Sequence, residues 1–313
     1  MAQRILIALG AGLAAGVLFV LPSRGMIAGV WLSVIAPMPL MIACMGYGLR
    51  TGLGAVLMGA AVCALMKPAL SLVFLVSTAG PALLLAWLGV HMFAGGRRLE
   101  PGQLLAVVTM ISILAVWAMV GFVGVSYGGL EEALNEIAQG VTEAMKNMKG
   151  MEDGAGGVPL SDFVHILVIS VPAIMAFWSV LALSLNLWLA ARVTMISGQL
   201  DQPWPDLPAR LVLPRIALAA FALATLACVL PGEARVLAST AAVGLGVAFA
   251  LQGLAAIHRL TRGRPGRPGL LTVLYALIFI LFPLPLFVAA GVGVADNVKP
   301  LRRLPPKPSS TNP

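Results

Sequence analysis

Apolar runs of 17 to 25 residues with hardly a charge recur along this chain, and they set the first limit on what it can become. A helix needs about 20 such residues to cross a hydrocarbon slab of roughly 30 Å. Only helices or closed barrels can span a bilayer, because every backbone polar group must find its partner inside the protein. Barrel strands are about half as long and alternate in polarity, so these runs exclude them. The expected fold class is therefore all-α: a polytopic transmembrane helical bundle. Composition agrees, with 60% hydrophobic and 10% charged residues, against about 25% charged in a soluble domain.

Charges and turn residues divide the chain into nine candidate spans: 3–21, 26–47, 50–66, 69–93, 103–127, 162–190, 213–231, 234–257 and 269–293. The first is read as a retained helix, since Leu21-Pro-Ser-Arg24 follows it rather than a small-x-small cleavage site. With the N-terminus inside, inner loops hold eleven arginines and short outer loops hold only Arg24, Lys67 and Arg235. That bias fixes the orientation. The tail resists it: Lys299, Arg302, Arg303 and Lys307 would lie outside after nine spans and inside after eight. Leu281-Phe-Pro-Leu-Pro-Leu-Phe287 offers a place where the last segment turns back, and the sequence leaves eight and nine spans both open.

The net charge of +8 is spread one to four residues per loop without interleaved aromatics. It reports orientation, and no nucleic acid partner is expected. Cys44, Cys63 and Cys228 sit inside apolar runs with no CxxC spacing, which makes them small buried hydrophobes. No Walker-type loop, HExxH or local Ser/His/Asp arrangement occurs, so no enzyme activity, metal or cofactor is expected. No acid precedes Glu100, and all twelve acids fall in loops or within about a turn of a span end. A proton-relay carrier usually needs a carboxylate at depth, and this chain shows none there.

Two segments stand out. In 128–149, Leu130, Leu134, Ile137, Val141, Met145 and Met148 recur at spacings of three and four, with glutamates and lysines on the other faces. This is an amphipathic helix on the outer side, either resting on the membrane and its neighbours or covering an outward cavity. In 162–190, Asp162, His165, Pro172, Ser179 and Asn186 share one helical face, the last four at intervals of seven. Such a stripe either ties helices together by hydrogen bonds or lines a solute cavity. In the first span, Ala8, Gly12 and Gly16, with Ala11 and Ala15, let another helix approach closely.

The order of several motifs resembles a family. Leu21-Pro22 is followed by Ala36-Pro-Met-Pro-Leu40 and Gly46-Tyr-Gly-Leu-Arg50. Then come the acidic amphipathic loop, Trp204-Pro-Asp-Leu-Pro208, Leu213-Pro214 and Gly291-Val-Gly-Val-Ala-Asp-Asn-Val-Lys-Pro-Leu-Arg-Arg303. The chain looks like the YybS-like bacterial membrane proteins, a domain of unknown function. That family is distantly similar to the S-components of energy-coupling-factor transporters and to rod-shape proteins of the MreD type. The resemblance implies an inner-membrane protein with an S-component-like six-helix core at 1–197, a cytoplasmic loop at 198–212, added helices at 213–293 and a disordered tail at 294–313. It implies that Ala11 and Ala15 dock a partner subunit. It also implies that Pro37 and Pro39 begin a helix near the outer side after a short ordered loop at 22–36. Candidate ligand-binding residues are Trp31, Pro37, Pro39, His165, Ser179 and Asn186. The expected function is binding or passing a small hydrophobic or weakly polar solute with a membrane partner; the alternative is a scaffold of an envelope assembly. A closed polar cavity under the amphipathic helix would favour the first, and a solid core the second.

Overall fold

The computed structural model describes residues 1–24, 27–94, 100–146, 159–200 and 206–299, and no strand occurs among them. Helices α1 (Ala2–Val20), α4 (Leu49–Met66), α7 (Pro101–Tyr127), α9 (Leu160–Ile196) and α12 (Gly232–Leu260) are continuous. The second expected span is broken into α2 (Ile27–Ser33) and α3 (Pro37–Tyr47), and the fourth joins α5 (Pro68–Phe74) to α6 (Gly80–Ala94) through a π-turn at Leu75–Ala79. Among the described residues, seven helical stretches are long and apolar enough to cross a membrane. Their outward faces are greasy: Leu57, Leu65, Val125 and Ile196 stay mostly exposed, as residues bathed in lipid must. Exposed apolar side chains on every long helix make the structure a polytopic helical bundle.

Two compact units form, Met1–Arg98 with Val107–Trp204 and Phe221–Gly244, and Leu99–Ala106 with Pro205–Ala220 and Leu245–Pro313. In the first, α1 lies along α4. Gly12 faces the Ala55 carbonyl and Met58, and Gly16 faces Val62 and the Gly59 carbonyl, so close that a Cβ at either would overlap them. Ala15 is fully buried and Ala11 half-buried. The close approach that this stripe permits is therefore taken up within the chain.

The amphipathic segment folds as α8 (Leu130–Lys146), with 147–149 outside the described residues. Its apolar side fills two seams. Leu130 packs with Val116, Val120, Ala176 and Val236; Ala138 packs with Leu160, Val164 and Val168. Leu134, Val141 and Met145 close the gaps. Its first turn receives a carboxylate, as the positive end of a helix favours: Leu130 N–H donates to Glu233 Oε1 at 3.3 Å. This side of α8 packs against α7, α9 and α12.

In the second unit the expected ninth span is two helices, α13 (Arg267–Ile280) and α14 (Leu284–Val298). At 14 and 15 residues each covers only about 21–23 Å, short of a bilayer core. The seventh expected span, 213–231, also shortens, to the 13 residues of α11 (Arg215–Ala227). Both ends of the 263–297 excursion are tied to one short stretch. Arg262 pairs with Asp206 (Nη1–Oδ2 2.5 Å, Nη2–Oδ1 2.7 Å), and Asn297 Nδ2 donates to the Leu213 carbonyl at 2.8 Å. Residues 206–213 include the single turn α10 (Leu207–Arg210), so they span at most roughly 16 Å. The excursion thus comes back to where it left.

Candidate functional site

The site is best built from two missing hydrogens. Pro37 and Pro39 have no backbone N–H, so the carbonyls of Ser33 and Ile35 lose their helical partners. Both recover one by tightening the turn: Ala36 N–H donates to Ser33 at 3.1 Å, and Met38 N–H donates to Ile35 at 3.1 Å. Met38 is then spent, and the carbonyl of Val34 is left open. Asn186 of α9 fills the gap, its Nδ2 donating to Val34 O at 2.7 Å and to its own Ala182 O at 2.7 Å. Asn186 is fully buried. An open carbonyl in hydrocarbon costs several kcal/mol, so this one side chain makes the break tolerable.

The break is far from the Tyr47 end of α3. The helix α3 runs 11 residues from Pro37 to Tyr47, about 16 Å, which is half the hydrocarbon thickness. Gly46 rests on the Thr194 methyl near the C-terminal end of α9, which places Val34, beside Asn186, well away from that end. This corrects the expected position of Pro37 and Pro39. They do begin α3, but a helix precedes them, and residues 27–33 are not loop. Pro37 is buried and Pro39 half-buried.

Trp31 stands on the α2 side of the break. Its ring meets that of Trp178 edge-on, centroids 6.1 Å apart, and Trp178 meets Phe177 likewise at 5.5 Å. Ser179 is half-buried beside this aromatic group on α9. So Trp31, Pro37, Pro39 and Asn186 are gathered at one elbow, with Ser179 two turns above Asn186. His165 is elsewhere: 21 residues from Asn186, or about 31 Å along α9. It is exposed and lines an open cleft of about 380 Å³ with Asn135, Gln139, Glu143 and Asp162. The seven-residue stripe is one face of a helix but not one site.

Nearby, the π-turn adds a second irregular piece of backbone, and it touches α3. Ser77 Oγ donates to Val73 O at 2.7 Å and lies 3.3 Å from Thr78 Oγ1. Single π-turns of this kind recur at functional sites. Among the described residues no group of three or more His, Cys, Asp or Glu is arranged to hold a metal ion.

A buried polar knot in the second unit escaped the sequence reading. Gln252 of α12 is fully buried; its Oε1 accepts from Leu213 N–H at 2.9 Å, and its Nε2 donates to Gly293 O at 3.1 Å and Asp296 Oδ2 at 3.0 Å. Gly253 and Gly293 bring α12 and α14 into backbone contact just beside it. Asp296 was placed correctly near a helix end, but its burial was not foreseen. The available signal was the motif around Gly291 and Gly293, whose small residues permit such contact.

No curated protein and no solved structure matches the chain. One family model does, over residues 14–297, under the description "Predicted membrane protein (DUF2232)". An all-helical chain with lipid-facing belts, matched over nearly its whole length, is a member of that family of integral membrane proteins.

Proposed function

We propose that this protein handles a small hydrophobic or weakly polar solute inside the bacterial inner membrane, at the elbow between α2 and α3. The observation that carries this reading is the helix break within an apolar span, with 11 residues of helix between it and Tyr47. Irregular backbone within a span is kept only where protein or a water-lined path satisfies it, and broken helices are how many carriers build their solute sites. The likeness of 1–197 to an S-component core supports the same reading. The chain has no energy-coupling site of its own, so a membrane partner subunit would supply that, and no enzyme chemistry is assigned. The positive-inside bias supports a cytoplasmic N-terminus. The filled seams beneath α8 and between α1 and α4 favour the second reading, a scaffold of a membrane assembly without a solute.

Purified protein would be tested by native mass spectrometry for a retained small molecule and by melting with solute pools. A bound solute raises the melting temperature in proportion to its occupancy. Trp31→Ala is expected to abolish that rise while leaving the unliganded melt unchanged. Asn186→Leu is expected to lower the unliganded melt as well. Unchanged solute retention in Asn186→Leu with lowered stability would reduce Asn186 to a helix tie. No retained molecule and no shift with any pool would leave the scaffold reading standing.

A further inference from the structure

Four arginines, Arg259, Arg262, Arg264 and Arg267, fall within nine consecutive residues that contain no acid. Arg262 is answered by Asp206. Arg267 is only half-exposed, and its Nε is buried with no hydrogen-bond partner. The turn that carries it is rigidly held: His258 Nε2 and Tyr275 Oη lie 2.8 Å apart, bolting the end of α12 to α13. A half-buried guanidinium with an idle donor wants an anion, and its flat fork fits phosphate oxygens.

Helix α13 supplies the other half. None of its residues is buried. From Arg267, steps of three and four lead to Leu270, Val273, Leu277 and Ile280, all exposed, on one face. That strip runs about 20 Å, somewhat more than one leaflet of hydrocarbon. It begins at the unanswered cation and contains no polar residue thereafter. A positive head end with an apolar track of leaflet length is complementary to a phospholipid and to neither a free anion nor a soluble protein.

We propose that this corner is a phospholipid site selective for anionic lipid: Arg267, with Arg259 and Arg264, takes the phosphate, and an acyl chain lies along Leu270, Val273, Leu277 and Ile280. The plainer view, arginines that only mark the cytoplasmic side, requires neither a selected lipid nor a special place for Arg267. The proposal is independent of the elbow reading.

Full-length protein in a mild detergent would be supplied with dioleoyl phosphatidylglycerol or dioleoyl phosphatidylcholine and examined by native mass spectrometry. Phosphatidylglycerol is expected to be retained about fivefold more than phosphatidylcholine. Arg267→Gln is expected to remove that preference, and Arg267→Lys to keep most of it. If Arg267→Gln fails to fold, Arg259→Gln with Arg264→Gln tests the same charge cluster. Equal retention of the two lipids by the native protein overturns the proposal, as does an unchanged preference in the glutamine variants. Displacement of the lipid by inorganic phosphate alone would assign the site to a free anion and overturn it too.

Discussion

Asp206 shows how a single side chain at the edge of this protein responds to its surroundings. The hydrogen bond from Arg262 holds its carboxyl below the usual carboxylate range; partial burial opposes this, and the Arg262 charge adds to it. A carboxyl whose folded pKa is lowered contributes stability fully above its unfolded value, near 3.9, and loses it as pH falls through the folded value. Because Asp206 is 42% exposed, solvent and salt limit the pair to about 1 kcal/mol. Asp206→Asn is expected to melt slightly below the native protein at pH 7, with the gap closing as pH falls below about 4 and narrowing in high salt. Thermal melts across that range check it. Residue-scale chemistry was partly legible beforehand. Asn186 could be singled out because a polar group in an apolar helix is conspicuous. Its partner, Val34, could not, because the need for a donor there arises only when the two prolines have reshaped the turn. Gln252 was missed for a similar reason: its partners come from residues 213, 293 and 296, which no local pattern connects.

At the scale of helices, packing rests on small residues where two backbones meet. Between α1 and α4 a larger side chain at Gly12 has nowhere to go, since the Ala55 carbonyl and the Met58 side chain occupy the space. Gly12→Leu is expected to cost about 1–3 kcal/mol or more through overpacking. Leu13→Ala, one residue on but facing outward, should change stability by less than about 0.5 kcal/mol. Melting of the two variants in one detergent compares them directly. The existence and approximate ends of the first, third, fifth, sixth and eighth spans follow from apolar length alone. The broken spans do not, because apolar length is blind to hydrogen bonding. Residues 26–47 are as apolar as an unbroken helix, and only the spacing of Pro37 and Pro39 marks the interruption. Residues 269–293 likewise read as one run, although they fold as two short helices.

For the molecule as a whole, the two ties at Asp206–Arg262 and Leu213–Asn297 bear on which side the tail leaves from. An excursion that begins and ends at 206–213 makes no net crossing, so Lys299 should emerge on the same side as Arg215. Arginine distribution alone had left eight and nine spans in balance; the ties favour the even count. Single cysteines placed as Arg215→Cys and Lys299→Cys, in a background lacking the native three, are expected to react with a membrane-impermeant thiol reagent from the same side. Labelling from opposite sides would mean that 263–297 crosses the bilayer. This result would also bear on the lipid corner, which would then face the leaflet in which Arg215 resides.

The elbow between α2 and α3 also carries a consequence for how the chain is made. The donor that Val34 needs lies 152 residues further on. At a synthesis rate of about 5–20 residues per second, the ribosome delivers it roughly 8–30 s after the elbow itself. During that interval the Val34 carbonyl lacks the donor that Asn186 later supplies. The seven residues of α2 must therefore wait at the translocon or in the watery interface and enter the bilayer late, when α9 arrives to receive them.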